Sequence, residues 1–149
     1  MRKTMVMFLV LAGIFTAGSS YAQLRKIPAE VTEAFKDKYA MANDLEWRDK
    51  LRGFQASFEL NGQKHLANFT NDGIWESTET EIDVDDLPSV VKDSYEKSKY
   101  SEWEIGIVQK IEMPEEKIQY RVQAVKSDIR KKNLYFSTEG RLLKDKLTL

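Results

Sequence analysis

Ile27-Pro28-Ala29-Glu30-Val31 and Leu87-Pro88-Ser89-Val90-Val91 decide the fold, because they open two copies of one unit. A second matching pair follows later in the copies, at residues 69–73 and 136–140, where an aromatic residue leads through polar residues to a glycine. The offset between the copies grows from 60 residues at the first pair to 67 at the second. A duplication whose loops lengthened independently would drift in this way, so the sequence predicts an internal repeat.

Each opening segment predicts a helix. Proline is favoured at the first helical position, where its missing N–H would have had no intrahelical partner. In the second copy Leu87, Val91 and Tyr95 recur at helical spacing and define an apolar face. In the first copy the corresponding apolar face comprises Val31, Ala34, Phe35 and Tyr39.

Strands with a two-residue period follow each helix. In residues 54–60 the apolar positions alternate with Gln55, Ser57 and Glu59, and in residues 118–124 they alternate with Gln119, Arg121 and Gln123. Asn61-Gly62 is a strong hairpin signal between the first pair of strands. Further strands before and after these give an order of one helix and four strands, repeated twice.

The predicted fold class is α+β, with the two copies joined in one antiparallel sheet. A unit of about 60 residues buries too little surface to be stable alone, so the copies should share a continuous curved sheet. Both helices are expected on one face, which leaves the other face open to solvent. The predicted boundaries are a signal peptide at 1–22, a first repeat at 23–84 and a second repeat at 85–149.

The N-terminus has the three parts of a secretory signal peptide. Arg2 and Lys3 are followed by an apolar run over residues 5–17 and by Ser20-Tyr21-Ala22, which places small residues at the −3 and −1 positions. The apolar run is shorter than the roughly 20 residues that span a bilayer. We therefore predict cleavage after Ala22 and a periplasmic or secreted protein.

Composition excludes several classes of function. Removing residues 1–22 removes two basic residues and no acidic ones, which leaves 21 Lys and Arg against 24 Asp and Glu. This slight excess of negative charge argues against a nucleic-acid partner, which requires a basic face. No later apolar stretch predicts a membrane span. The absence of cysteine excludes disulfides, thiolate catalysis and zinc–thiolate sites.

No catalytic, cofactor or metal site is predicted. His65 is the only histidine, and no nucleophile or orienting residue accompanies it in the sequence. Residues 76–86 contain six carboxylates, but they lack the order of a calcium-binding loop and fit the solvated side of a strand that enters a linker. Trp47 and Trp75 are expected to pack in the core. Trp103 could pack or contact a ligand.

The open face of the sheet is the predicted working surface. Arginine and tyrosine are enriched where interfaces concentrate their binding energy, which favours a protein or peptide partner. A purely solvated face is the alternative for these residues. Inhibition or chaperoning of an exported hydrolase, and binding of a small ligand or cation, are the other functions considered. The candidate residues are Gln55, Ser57, Glu59, Gln119, Arg121, Gln123 and Tyr135.

Several motifs together resemble the PepSY-like family of beta-lactamase-inhibitor-like exported proteins of Bacteroidetes. They are the two helix openings, Asp44-Leu45-Glu46-Trp47, the hairpin from Asn61 to Trp75 and the connector at 78–83. The resemblance covers Ile27 to about Leu147. It implies a fold like that of the beta-lactamase inhibitor protein, with a long curved sheet, and it implies no particular inhibitory activity. The chain departs from the family at Ala40-Met41 and Ser101-Glu102, where Pro-Gly is frequent.

Overall fold

A computed structural model describes residues 25–148. The predicted signal peptide and its cleavage point after Ala22 lie outside these residues. A short 3-10 helix over Val84–Asp86 connects the two halves of the chain. The other elements are α1 (Ala29–Lys38), β1 (Asn43–Lys50), β2 (Gly53–Leu60), β3 (Gln63–Thr70), β4 (Trp75–Ile82), α2 (Ser89–Glu96), β5 (Glu104–Met113), β6 (Lys117–Ser127), β7 (Arg130–Ser137) and β8 (Leu142–Leu147).

The eight strands form one antiparallel sheet in which the spatial order is the chain order, β1 to β8. The predicted α+β class, with two helices and one antiparallel sheet, is therefore confirmed. Asn61 and Gly62 both have positive φ, 54° and 76°, as the predicted two-residue hairpin between β2 and β3 requires. None of the helices among residues 25–148 is long and apolar enough to span a membrane.

The first apolar cluster forms between α1 and strands β2 and β3. Val31 and Phe35 of α1 are buried against aromatic residues of the strands. The ring of Phe35 meets Phe58 edge to face at 5.0 Å, and Tyr39 lies 4.6 Å from the same ring. Such edge-to-face contacts add to the stability gained from buried area. The other strand members of this cluster are Phe54, Ala56, Ala67 and Phe69.

The second apolar cluster forms between α2 and strands β5 to β7. Leu87, Val91 and Tyr95 are buried, as the helical spacing predicted. The Tyr95 hydroxyl donates a hydrogen bond of 2.9 Å to the carbonyl of Trp103, which ties the helix to the start of β5. The remaining buried members are Tyr100, Val108, Val122, Ala124, Leu134 and Phe136.

Polar residues of β4 occupy the region between the two clusters. Thr78 and Thr80 are buried there, and each hydroxyl has an aromatic or imidazole partner. Trp75 Nε1 donates to Thr78 Oγ1 at 2.9 Å, the Tyr39 hydroxyl also bonds Thr78 Oγ1, and His65 Nδ1 lies 2.8 Å from Thr80 Oγ1. Because these bonds satisfy the hydroxyls of Thr78 and Thr80, burying the two side chains leaves no unpaired polar group.

Gly73 and Gly140 bring the two glycine turns against the helices. Both have positive φ, 78° and 81°. A Cβ on Gly73 would lie 2.5 Å from the carbonyl oxygen of Glu30 in α1, and one on Gly140 would lie 2.4 Å from that of Val90 in α2. Only glycine combines this backbone conformation with so close an approach.

Candidate interaction face

All seven candidate residues lie on one face of the sheet, which we call the polar face. Along their strands these positions alternate with members of the two apolar clusters, so their side chains point away from those clusters. Cross-strand partners share a face, and one row of partners on the polar face crosses seven strands. That row is Glu46, Ser57, Leu66, Glu79, Ile111, Gln119 and Ser137.

A ladder of amides and a hydroxyl crosses β2 to β4 on the polar face. Gln55 Nε2 donates to Asn68 Oδ1 at 3.0 Å, and Asn68 Nδ2 donates to Ser77 Oγ at 3.0 Å. Gln55 is only 8% exposed. The prediction that this face is fully wet is therefore wrong at Gln55, because the neighbouring side chains on adjacent strands cover it.

An ion pair connects β4 to β6 over the intervening strand β5. Arg121 Nη2 lies 2.9 Å from Glu79 Oε2, and the two side chains are only 22% and 17% exposed. Partial burial reduces solvent screening, so this pair is stronger than a fully exposed one. Glu79 therefore belongs to the polar face, although its sequence context had placed it among solvated carboxylates.

Gln109 and Ile111 of β5 lie beside this ion pair. Each is only 7% exposed. The Oε1 atom of Gln109 is buried and has no hydrogen-bond donor among residues 25–148. Gln109 is the cross-strand partner of Arg121 and Ile111 that of Glu79, so the ion pair crosses β5 next to both residues and contributes to their burial.

The strands at the C-terminal edge carry Tyr135 and a set of basic side chains. Tyr135 pairs with Arg121 on one side and with Lys144 on the other. Lys144 Nζ lies 4.2 Å from the centroid of the Tyr135 ring, within cation–π distance. The adjacent row consists of Gln123, Asn133 and Lys146. Of the predicted residues of the second repeat, Arg121 is thus the direct neighbour of Tyr135, and Gln123 lies in the adjacent row.

The only histidine and most of the carboxylates of residues 76–86 lie apart from the ion pair and Tyr135. His65 projects on the side of the apolar clusters, where its ring stacks on Phe58 at 5.3 Å. Within residues 25–148 no three histidine or acidic side chains are grouped so that they could hold a metal ion. Of the six carboxylates in residues 76–86, only Glu79 is part of an ion pair in the described chain.

The tryptophans pack against the clusters. Trp47 and Trp75 are partly buried against the first cluster, which confirms the prediction that they belong to the core. Trp103 packs against the second cluster. Trp75 also borders a cleft of about 410 Å³, but Lys38 Nζ already lies 3.8 Å from the centroid of its ring. The face of Trp75 is therefore occupied by the chain's own ammonium group.

Sequence reasoning missed several residues of the polar face. Asn68, Ser77, Glu79 and Gln109 are brought beside the predicted residues only by the register of the sheet. Gln109 follows Ile105-Gly106-Ile107-Val108, where polar and apolar residues do not alternate, so the sequence did not assign it to a face. The other residues are too far apart in sequence for local periodicity to connect them.

Comparisons with known proteins identify relatives of this fold. A family model described as "Putative beta-lactamase-inhibitor-like, PepSY-like" matches residues 52–144. A BLIP-like protein from Bacteroides fragilis is similar in structure, with a TM-score of 0.73, 26% identity and coverage of 85% of this chain and 90% of that one. No curated protein matches the sequence significantly.

Two further crystal structures are similar over comparable lengths. A DUF2874 family protein from Bacteroides ovatus has a TM-score of 0.74 at 25% identity and covers 83% of this chain and 89% of its own. A protein from Bacteroides eggerthii described as "putative periplasmic" has a TM-score of 0.75 at 24% identity, with coverage of 83% and 90%. The alignments therefore extend over nearly the whole of each relative.

Proposed function

The chain belongs to the PepSY-like family, and from this membership and its polar face we propose that it is an exported, non-enzymatic binding protein. The polar face holds a protein or peptide partner. Family and fold alone would not assign this role, because one fold supports many functions. The assignment therefore depends on the side chains of the face.

The observation that carries the proposal is the composition of the polar face at its centre. Arg121, Tyr135, Gln109 and Ile111 adjoin one another there, partly buried and without a described element over them. Interfaces concentrate binding energy in such partly desolvated arginine and tyrosine side chains, surrounded by polar groups.

We further infer that both helices pack on the face opposite the polar one, which leaves the polar face accessible. One line of direct cross-strand partners supports this placement, because it runs from Phe58 in the first cluster to Phe136 in the second. The partners between them are His65, Thr80, Lys110 and Tyr120. Residues paired in this way project to the same side.

Tandem duplication is part of the same proposal. The two glycine turns support it, since Thr70 N bonds the Ile74 carbonyl at 2.8 Å and Ser137 N bonds the Arg141 carbonyl at 2.9 Å. Gly73 and Gly140 approach Glu30 and Val90, which are 60 residues apart at matching positions of the two helices. The boundaries proposed for the repeats remain 23–84 and 85–149.

Export to the periplasm or beyond is supported by two independent observations. The signal-peptide pattern ends at Ala22. The similar structure from Bacteroides eggerthii is described as "putative periplasmic". Amino-terminal sequencing of the protein recovered from cell envelopes should begin at Gln23, and an intact Met1 would contradict the proposal.

Inhibition of an exported hydrolase is the second candidate function. It is favoured by the description of the family as beta-lactamase-inhibitor-like and of the Bacteroides fragilis structure as BLIP-like. An inhibitor is a binding protein whose partner is an enzyme, so the same face would act. To distinguish an inhibitor from a binding protein without inhibitory effect, the activity of any hydrolase bound by the polar face is measured with and without this protein. A lower activity in its presence indicates an inhibitor.

Site-specific photocrosslinking in periplasmic extract tests the proposed function. A photoreactive amino acid is placed at Ser57 or Gln119 on the polar face, and at the exposed helix residues Glu33 or Lys97 as matched controls. We expect discrete adducts from the polar-face positions, lost in an Arg121→Ala/Tyr135→Ala background. Equal labelling from the helix positions, or no adduct from either polar-face position, would overturn the proposal.

A further inference from the structure

We propose that the β6–β8 part of the polar face binds an acidic segment of a partner protein. This inference rests on the proposed function and adds the chemistry of the partner. We call the surface the basic patch and define it as Arg121, Tyr135, Lys144 and Lys146. The sheet register, not the number of charges in the chain, makes this surface basic.

The register gathers the cations of the basic patch in two adjacent rows. Arg121, Tyr135 and Lys144 form one row across β6, β7 and β8, and Lys146 ends the next row. Neighbouring strands lie about 5 Å apart, so the row spans about 10 Å. The two rows contain no carboxylate on these three strands; their uncharged members are Gln123 and Asn133.

Strand β8 separates its charges between the two faces. Lys144 and Lys146 project to the polar face, are exposed, and form no ion pair with residues 25–148. Asp145 between them projects to the other side, where it accepts a hydrogen bond of 2.5 Å from the Tyr100 hydroxyl. The only carboxylate of β8 is thus held away from the two lysines.

Arg121 and Tyr135 give the basic patch side chains that suit the binding of a carboxylate. The described bond to Glu79 uses Nη2 of Arg121, and a guanidinium carries five N–H donors. A carboxylate of a partner can therefore bind the remaining donors, as arginine forks do. Tyr135 lies between Arg121 and Lys144, and its hydroxyl can donate a further hydrogen bond to that carboxylate.

Charge on the rest of the polar face favours a protein over a nucleic acid. The β1–β4 part carries Glu46, Glu59, Glu79 and Glu81, against Arg48, Lys50 and Lys64. A polyphosphate long enough to cross the face needs a continuous basic surface, which this mixed part does not provide. A folded protein can place a short acidic segment on the basic patch and other residues on the β1–β4 part, so it suits a face whose two parts differ in charge.

Nuclear magnetic resonance titration of the 15N-labelled protein tests this inference. The probes are three 12-residue peptides at low salt: one rich in Asp and Glu with one Tyr, one neutral, and one rich in Lys. The charge-reversed variant is Lys144→Glu/Lys146→Glu, and the matched control is Lys36→Glu/Lys97→Glu on the exposed sides of the helices. A Lys144→Gln/Lys146→Gln variant covers the case in which the reversal disturbs the fold.

The acidic peptide should shift amide signals of β6–β8 and bind roughly 10-fold more weakly to Lys144→Glu/Lys146→Glu, while the control changes affinity less than about 2-fold. Equal binding to wild type and charge-reversed protein would overturn the inference. Binding of the neutral or basic peptide alone would overturn the acidic partner and leave the proposed function standing. Tighter binding of a single-stranded oligonucleotide, or self-association abolished by the reversal, would replace the acidic protein partner by a nucleic acid or a second copy.

Discussion

Arg121 Nη2 lies 2.9 Å from Glu79 Oε2, so an ion pair connects a strand of the first half of the sheet to one of the second half. The two residues are 42 positions apart and are not direct cross-strand partners, because β5 lies between their strands. Their two long side chains therefore span the intervening strand to meet. The pair marks the centre of the polar face and fixes how Arg121 is presented there.

A double-mutant cycle on Glu79→Gln and Arg121→Gln should give a coupling free energy of about 1–2 kcal/mol, because both side chains are largely shielded from water. Urea unfolding of the four proteins measures it. The exposed pair Lys117–Glu115, with side chains 65% and 76% exposed, is the control and should couple much more weakly, because solvent screens it. Equal coupling in the two pairs would contradict the partial burial of the first.

Replacing glycine by alanine at three turns should distinguish the free-energy cost of backbone strain from the cost of a clash with a helix. Gly62→Ala should cost about 1–2 kcal/mol, because its φ is +76° and nothing lies within 4 Å of the added carbon. Gly73→Ala and Gly140→Ala should each cost at least about 3 kcal/mol, since the added carbon also meets a helix carbonyl. Chemical denaturation measures all three, and a uniform cost would show that the helices can move away.

The two halves should unfold in a single transition, because one hydrogen-bonded sheet joins them. Phe58→Ala in the first cluster and Phe136→Ala in the second should each lower the free energy of unfolding by about 3–5 kcal/mol. Leu51→Ala, at a residue 95% exposed, is the control and should change it by less than about 0.5 kcal/mol. Two separate transitions in calorimetry of Phe136→Ala would contradict shared folding.

Acid should destabilise the protein in part through Asp145. The hydrogen bond from Tyr100, with the nearby Lys132 and Lys99, holds the pKa of Asp145 below its ordinary value. A carboxyl group with a depressed pKa stabilises the folded state above the unfolded pKa of about 3.9, and this stability is lost as pH falls through the lower folded value. We therefore expect the urea midpoint to fall between about pH 5 and pH 2.

Tyr100→Phe removes the hydroxyl that donates to Asp145 and keeps the ring, so it should weaken this acid dependence. Asp145→Asn should remove the same contribution entirely. Asp86→Asn, at an exposed carboxylate outside any ion pair of the described chain, should leave the acid dependence unchanged. Parallel pH profiles for Tyr100→Phe and wild type would show that the hydrogen bond is not responsible.

Local periodicity determined the elements of this protein. The two-residue period in residues 54–60 predicted a strand with one buried side, and the helical spacing of Leu87, Val91 and Tyr95 predicted a helix with one buried side. The apolar residues of both patterns are buried in the structure. Asn61-Gly62 determined a hairpin because its backbone conformation is a local property of those residues. The alternating polar positions Gln55, Ser57, Glu59, Gln119, Arg121 and Gln123 were assigned to one face by the same period.

Only the tertiary structure decided which of these polar residues meet. Pairing across eight strands brings Glu79 to Arg121 and Tyr135 to Lys144, although nothing in the local sequence connects them. The same pairing surrounds Gln55 and Gln109 with side chains of adjacent strands, and they are only 8% and 7% exposed. Local sequence sets which side of a strand a residue occupies, whereas register and curvature set its neighbours, and these depend on contacts summed over the whole sheet.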